Sequence, residues 1–207
     1  MDEAFWDERY RSSSTLWSGD PNPNLVAEAA GLAPATALDV GCGEGADAVW
    51  LAARGWRVTA ADISTVALDR GAARALEIGG DVAEHIDWLH ADLTEWVPPP
   101  ASYDLVSAQF MPLPKEPREA LFRRLAASVS PGGTLLVVGR HSCDVESTSP
   151  ARPELFFTPA DVAAALDAQE WETVVSEARP RATAAPDGGT VTLQDAVFRA
   201  THRRSAA

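Results

Sequence analysis

Between residues 36 and 140 short apolar runs alternate with longer stretches in which apolar positions recur every three or four residues. The runs Ala37–Val40, Trp56–Ala61, Ile86–Ala91, Tyr103–Ala108 and Thr134–Gly139 are four to six residues long. Near-continuous apolarity at that length predicts strands buried on both faces. Gly45–Arg54, Thr65–Ile78 and Glu116–Ser128 carry helical periodicity between them. Strand-helix alternation of this kind predicts a parallel sheet with helices on both sides. Ahead of the first strand, residues 2–11 and Asn22–Ala30 read as helices, the second opened by Pro21-Asn22-Pro23, where asparagine caps and proline fits the first turn. Beyond it, Thr158-Pro159-Ala160-Asp161 opens a helix to about Ala168, and strands near Glu172–Arg179 and Thr190–Thr201 flank the turn sequence Pro186–Gly189, which makes them an antiparallel pair. The expected fold is thus α/β, three-layered and doubly wound, with seven mostly parallel strands, an antiparallel C-terminal hairpin and an N-terminal helical cap. Residues 1–30 form the cap, 31–202 one compact domain, and 203–207 a disordered tail.

Composition narrows the function. A chain of 207 residues supports one α/β domain and is short for two catalytic ones. A formal charge of −13 repels phosphate backbones, so nucleic acid is not the expected partner. No apolar leader or membrane-length run is present, so a cytoplasmic protein acting on a small molecule, as monomer or homodimer, is expected. The two cysteines, Cys42 and Cys143, provide no disulfide framework or metal-ligand cluster; both are expected as free thiols, and no metal site is expected.

The stretch Asp39-Val40-Gly41-Cys42-Gly43-Glu44-Gly45 leaves a strand on an acid and breaks into glycines before a helix. Closely spaced glycines let backbone approach a ligand, and the next helix offers unpaired N–H groups. Gly41, Gly43 and Ala46 formally fit a dinucleotide fingerprint, which is weak alone. Asp62 ends the second strand, twenty-one positions after Gly41, where a carboxylate suits the hydroxyls of a ribose. Asp92 ends the third, where its carboxylate and the Leu93 N–H suit the edge of an adenine; the alternative is a cap on the turn Leu93–Trp96.

In order, Asp39–Gly45, Asp62, Ala91-Asp92-Leu93, the Tyr103-Asp104 strand and Val129–Gly133 resemble the motif series of class I S-adenosylmethionine-dependent methyltransferases, firmly over roughly residues 35–140. The opening Phe5–Tyr10 with Leu16-Trp17 is similar to the leader of the small bacterial tellurite-resistance and thiol-methyltransferase group. The resemblance implies a Rossmann-like fold and S-adenosylmethionine as cofactor, with S-adenosylhomocysteine as product. It also implies a cofactor site drawn from Trp17, Asp39, Gly41, Cys42, Gly43, Gly45, Asp62, Ile63, Asp92, Leu93 and Gln109, the aromatic leader closing as a lid. Cys42 is read as a small residue chosen for fit, without chemistry.

A sulfonium donor asks mainly for geometry and exclusion of water, and for a base only when the acceptor is neutral. His141, at the rim beyond the fifth strand, is the candidate base. Gln109 could hold acceptor or cofactor, with Phe110 and Met111 as walls, and Arg179 and Arg181 could face an anionic acceptor. The polar, proline-rich segment Arg140–Phe157 is the expected acceptor loop. Two other readings remain. A nicotinamide oxidoreductase of the short-chain type would need a Tyr-x-x-x-Lys pair, absent here because Lys115 is the only lysine. A non-catalytic S-adenosylmethionine-binding protein would share every motif above.

Overall fold

A computed structural model describes residues 1–14, 16–144, 152–184 and 189–204. Helices α1 (Glu3–Arg11) and α2 (Pro23–Ala29) precede β1 (Thr36–Val40), α3 (Ala46–Ala52), β2 (Arg57–Asp62), α4 (Thr65–Ile78), α5 (Gly80–Ala83) and β3 (Ile86–His90). There follow β4 (Tyr103–Gln109), α6 (Lys115–Ser128), β5 (Val129–Arg140), α7 (Pro159–Ala163), β6 (Trp171–Ala184) and β7 (Thr190–His202). The sheet order is β3-β2-β1-β4-β5-β7-β6. β1 to β5 pair in parallel, while β7 runs antiparallel to both β5 and β6, the expected fold class. The winding reverses between β1 and β4, and ligands of such sheets bind beyond the strand C-termini at that switch.

The near-continuous apolar strands divide their side chains between two cores. Leu38, Val40, Val106 and Phe198 pack with α6 through Leu121, Phe122 and Leu125 on one side. Ala37, Leu105, Leu136 and Val138 pack with α2 and α3 through Leu25 and Leu51 on the other. Burial of this kind contributes about 1.5–3 kcal/mol for each large aliphatic or aromatic side chain.

Most boundaries follow local chemistry. Helix α4 spans Thr65–Ile78 because the Ser64 side chain accepts the Ala67 N–H at its start and Gly79 ends it. The predicted helix from Thr158 is shorter than its pattern suggests. Its capping box forms between Thr158 and Asp161, yet after Ala163 the chain tightens into Ala165→Val162 and Leu166→Ala163 turns, and the Asp167 carboxylate takes the Gln169 N–H. Pro131-Gly132-Gly133, expected as a turn before the fifth strand, lies inside β5 as an irregularity: Tyr103 pairs with Val129 and Leu105 with Thr134, and Gly132 at φ +90° absorbs the extra residues. Helix α5 had no distinct pattern in the sequence. The expected turn at Pro186–Gly189 and the middle of the Arg140–Phe157 loop lie largely outside the described residues. No helix among the described residues is long and apolar enough to cross a membrane.

Candidate functional site

At the switch point β1 delivers Asp39 and the glycine loop, and β4 beside it ends in Gln109, with Phe110 next in the chain. Gly41 and Gly43 have φ of +67° and +53°, a region that L side chains rarely adopt. Their open faces meet side chains: a Cβ on Gly43 would lie 2.8 Å from the Tyr10 hydroxyl, and one on Gly41 would lie 2.4 Å from the Met111 sulfur. Thus the glycines create a close-approach surface over which Tyr10, Trp17 and Met111 rest. Gly45 is positive in φ too, but its Cβ would collide with the Trp88 ring at 2.3 Å, as would a Cβ on Gly71 at 2.5 Å. For Gly45 the structure therefore supplies a packing reason, since Trp88 wedges between α3 and α4.

Beneath the loop sits a cluster of buried carboxylates. Asp39, Asp47 and Asp62 are 2%, 9% and 8% exposed. Asp62 is tied down, Oδ2 accepting the Gly43 N–H at 2.8 Å and Oδ1 the Ser64 N–H at 2.9 Å. The Asp47 Oδ1 accepts the Asn22 N–H at 2.6 Å. Asp39 differs: its Oδ2 is buried without a hydrogen-bond partner among the described residues, as is Oε1 of Gln109, whose Nε2 donates to the Ser107 hydroxyl at 2.8 Å. Loss of hydration raises all three acids. Asp39 is pushed further by the fields of Asp47 and Asp62, and Asp47 reaches about 6. Desolvation, with the same carboxylates around it, also raises the Cys42 thiol, which keeps it neutral and inert. A buried acid cluster with an unpaired oxygen is arranged to receive a cation.

The remaining expected cofactor residues are brought to the same rim. Ile63 follows β2, its carbonyl 3.0 Å from Nε2 of His90. Asp92 is exposed and Oδ1 accepts both the N–H and the hydroxyl of Thr94, at 2.8 and 2.7 Å, so the turn cap is formed. Leu93 beside it is buried. In the cap, Trp17 is 52% exposed and donates Nε1–H to the Tyr10 hydroxyl at 3.1 Å, while Tyr10 is buried. Two acids fasten the cap. Asp7 accepts from the Ser64 hydroxyl at 2.7 Å, a bond that holds its carboxyl below the usual range, and Glu44 in the glycine loop accepts the Leu16 N–H at 3.3 Å while pairing with Arg70. Neither Glu44 nor Asp47 stood out in the sequence; an acid inside a glycine loop and another in the following first turn were the available signals.

Three catalytic candidates are placed differently. His141 turns Nδ1 to its own loop, 3.2 Å from the Cys143 N–H, which donates to it, and 3.0 Å from the Cys143 sulfur. With Nδ1 accepting, the neutral ring carries its proton on Nε2, so the lone pair a base needs is engaged. Gln109 is at the switch point as expected. Arg181 donates Nε–H to both oxygens of buried Asp195, at 3.0 and 3.1 Å, and lies 5.2 Å over the Phe110 ring. Arg179, by contrast, is committed to Glu28 and Glu177. Phe110 has φ +51°, an unusual conformation for a bulky residue and of a kind that clusters at functional sites.

Comparisons with known proteins agree with this geometry. The family profile described as "Methyltransferase domain" matches residues 37–133. An uncharacterized methyltransferase of Mycobacterium bovis is 40% identical over 101 residues, 49% of this chain and 48% of that protein. A probable thiol methyltransferase of Arabidopsis thaliana is 28% identical over 138 residues, 64% of this chain and 60% of that protein. The chain thus spans about half to three-fifths of the length of these relatives. A structure solved for work on conversion of a disulfide bond into a thioacetal group during echinomycin biosynthesis superposes with a TM-score of 0.74 at 19% identity, covering 99% of this chain and 93% of that one.

Proposed function

We propose that this chain, whose residues 37–133 match the methyltransferase-domain profile, is a class I, S-adenosylmethionine-dependent enzyme that transfers a methyl group from that cofactor to a small-molecule nucleophile. The observation that carries the reading is the orphaned Asp39 Oδ2 among three buried carboxylates under the glycine loop. S-adenosylmethionine brings an ammonium and a sulfonium, which such a cluster attracts. A dinucleotide would bring a pyrophosphate to the α3 N-terminus, against Glu44, Asp47 and Asp39, where like charge repels it.

When bound, the cofactor supplies a methyl group already activated on sulfur. The residues have only to bind, orient and keep water out. Asp39 neutralises positive charge, Asp62 suits a ribose while also shaping the Gly43 turn, and Leu93 with Asp92 suits the adenine edge. Tyr10, Trp17 and Met111 cover the loop, and Met111, unbranched and flexible, can re-pack around a ligand. A thiol is the favoured acceptor. The lone pair of His141 is engaged by the Cys143 N–H, and a thiol of pKa near 8.5 supplies its own thiolate by losing a proton to solvent, whereas an alcohol would need a base. The relative named a probable thiol methyltransferase supports the same choice.

The test is turnover of S-adenosylmethionine with a panel of thiols, phenols and halide salts, product detected by mass. Methylation of thiols, with phenols inert, is expected; methylation of phenols alone would overturn the thiol assignment, and binding of cofactor with no turnover on any acceptor would favour a non-catalytic binding protein.

A further inference from the structure

Beyond the switch point, where β5 ends, the β6–β7 hairpin extends past the sheet and encloses a pocket of about 290 Å³. Arg140, Arg181, Phe156, Leu193, Gln194 and Asp144 line it. The antiparallel registers build it, setting Arg140 opposite Asp195 and Arg181 opposite Leu193. It adjoins the reaction site because Phe110, which follows Gln109, lies under Arg181.

We propose that this pocket holds the carboxylate of the methyl acceptor between Arg140 and Arg181, so that the acceptor is a small mercapto acid with an apolar body. The proposal rests on the methyl-transfer reading above for the word acceptor, and on the pocket alone for the anion. In a chain of formal charge −13, this pocket brings two guanidinium groups together; Asp195 balances Arg181 from behind, and one carboxylate shares the lining. That carboxylate, Asp144, is occupied, Oδ2 accepting the Gln194 N–H and Oδ1 facing the Cys143 thiol at 3.7 Å. Arg181 is anchored through Nε alone by Asp195, which is 1% exposed and is itself steadied by Nδ2 of Asn24 at 3.2 Å. Among the described residues its terminal amino groups have no hydrogen-bond partner, and their fork geometry suits a carboxylate. Arg140 makes no ion pair among the described residues and lies 5.8 Å over the Phe156 ring. Phe156 and Leu193 give the same pocket an apolar wall, which a bare inorganic oxyanion would leave unused. Asp195 is accordingly a positioning residue, acting through Arg181.

The test compares 3-mercaptobenzoate with thiophenol, an equally sized ring lacking the charge, and in parallel measures benzoate binding by ligand-observed NMR. Wild-type protein, Arg181→Gln, Arg181→Lys and Arg140→Gln are used, with S-adenosylhomocysteine affinity as the control. Each Gln variant should raise the ratio of KM for 3-mercaptobenzoate to KM for thiophenol about ten- to a hundredfold, the effect of losing a charged hydrogen bond, while cofactor affinity stays put. Arg181→Lys should recover part of the loss. Arg140→Gln guards against a folding artefact, because no ion pair among the described residues depends on it. If neither thiol is methylated, the acceptor reading fails, and the pocket is judged by benzoate: binding that each Gln variant abolishes upholds the anion site. Equal KM values for the two thiols, or benzoate binding that is absent or indifferent to both variants, overturns the proposal.

Discussion

Replacing Asp47 with Asn tests the electrostatics of the site without touching its shape. Asp47 lies in the first turn of α3, 9% exposed, and burial raises its carboxyl from 3.8 to about 6. A shift of that size corresponds to about 3 kcal/mol, the cost of ionising it in the folded protein relative to the unfolded chain. The folded-state value is the raised one, so the folded protein holds the proton more tightly. The protonated carboxyl carries no penalty below about pH 4, and stability is lost as pH rises through about 6. Asparagine retains an oxygen for the Asn22 N–H but only as a neutral acceptor, which gives back roughly 1 kcal/mol. Removing the Asp47 charge also relieves Asp39, whose carboxyl it helps to raise. The variant should therefore be about 1–3 kcal/mol more stable than wild type in urea at pH 8, with the gap closing towards pH 4. A thermal midpoint would move up by about 2–4 °C for each kcal/mol. An Asp47→Asn protein no more stable than wild type at pH 8, or one with a pH-independent difference, would refute the view that these acids are held under strain.

Asp39→Asn should leave the free protein as stable or more so, yet weaken S-adenosylmethionine binding about ten- to a hundredfold by calorimetry, because Oδ2 has no other partner to lose. Asp62→Ala should cost about 1–3 kcal/mol in urea unfolding as well as cofactor affinity, since the Gly43 and Ser64 N–H groups lose their acceptor; unchanged affinity would show the ribose to be misplaced. Glu28, 8% exposed between Arg179 and Arg199, should cost about 1–3 kcal/mol in urea when changed to Ala, because Arg199 loses its carboxylate partner and Arg179 keeps only Glu177 at the junction of α2 and the hairpin. Gly71→Ala should cost about 1–3 kcal/mol by overpacking against Trp88, and much of that loss should vanish in a Trp88→Leu background, measured by a double-mutant unfolding cycle.

The parallel sheet was legible because each of its strands is a local apolar run closed by a polar residue or glycine, and α4 because its cap and its terminator are both written beside it. Asp39, Gly41 and Asp62 were legible as a set, since the strand ends they occupy converge in any doubly wound sheet. What could not be read is set by pairs distant in sequence. Trp88 explains Gly45 and Gly71 only once β3 is laid beside α4. Arg181 separates from Arg179 only when the hairpin register turns one towards Asp195 and the pocket and the other towards Glu28. The pocket depends on that register too, and Phe156 reaches it from a loop whose pattern carried no periodicity. Loss of hydration at Asp47 is likewise a property of packing, because an aspartate in a helix's first turn usually faces water.

The central claim is that the acid-floored glycine loop binds a cationic sulfur nucleoside and not a dinucleotide. Calorimetric titration of the purified protein with S-adenosylmethionine and, separately, with NADH tests it most directly. Saturable binding of S-adenosylmethionine that weakens as falling pH protonates the buried carboxylates, with no heat from NADH, is the predicted result. Saturable binding of NADH without binding of S-adenosylmethionine would contradict it.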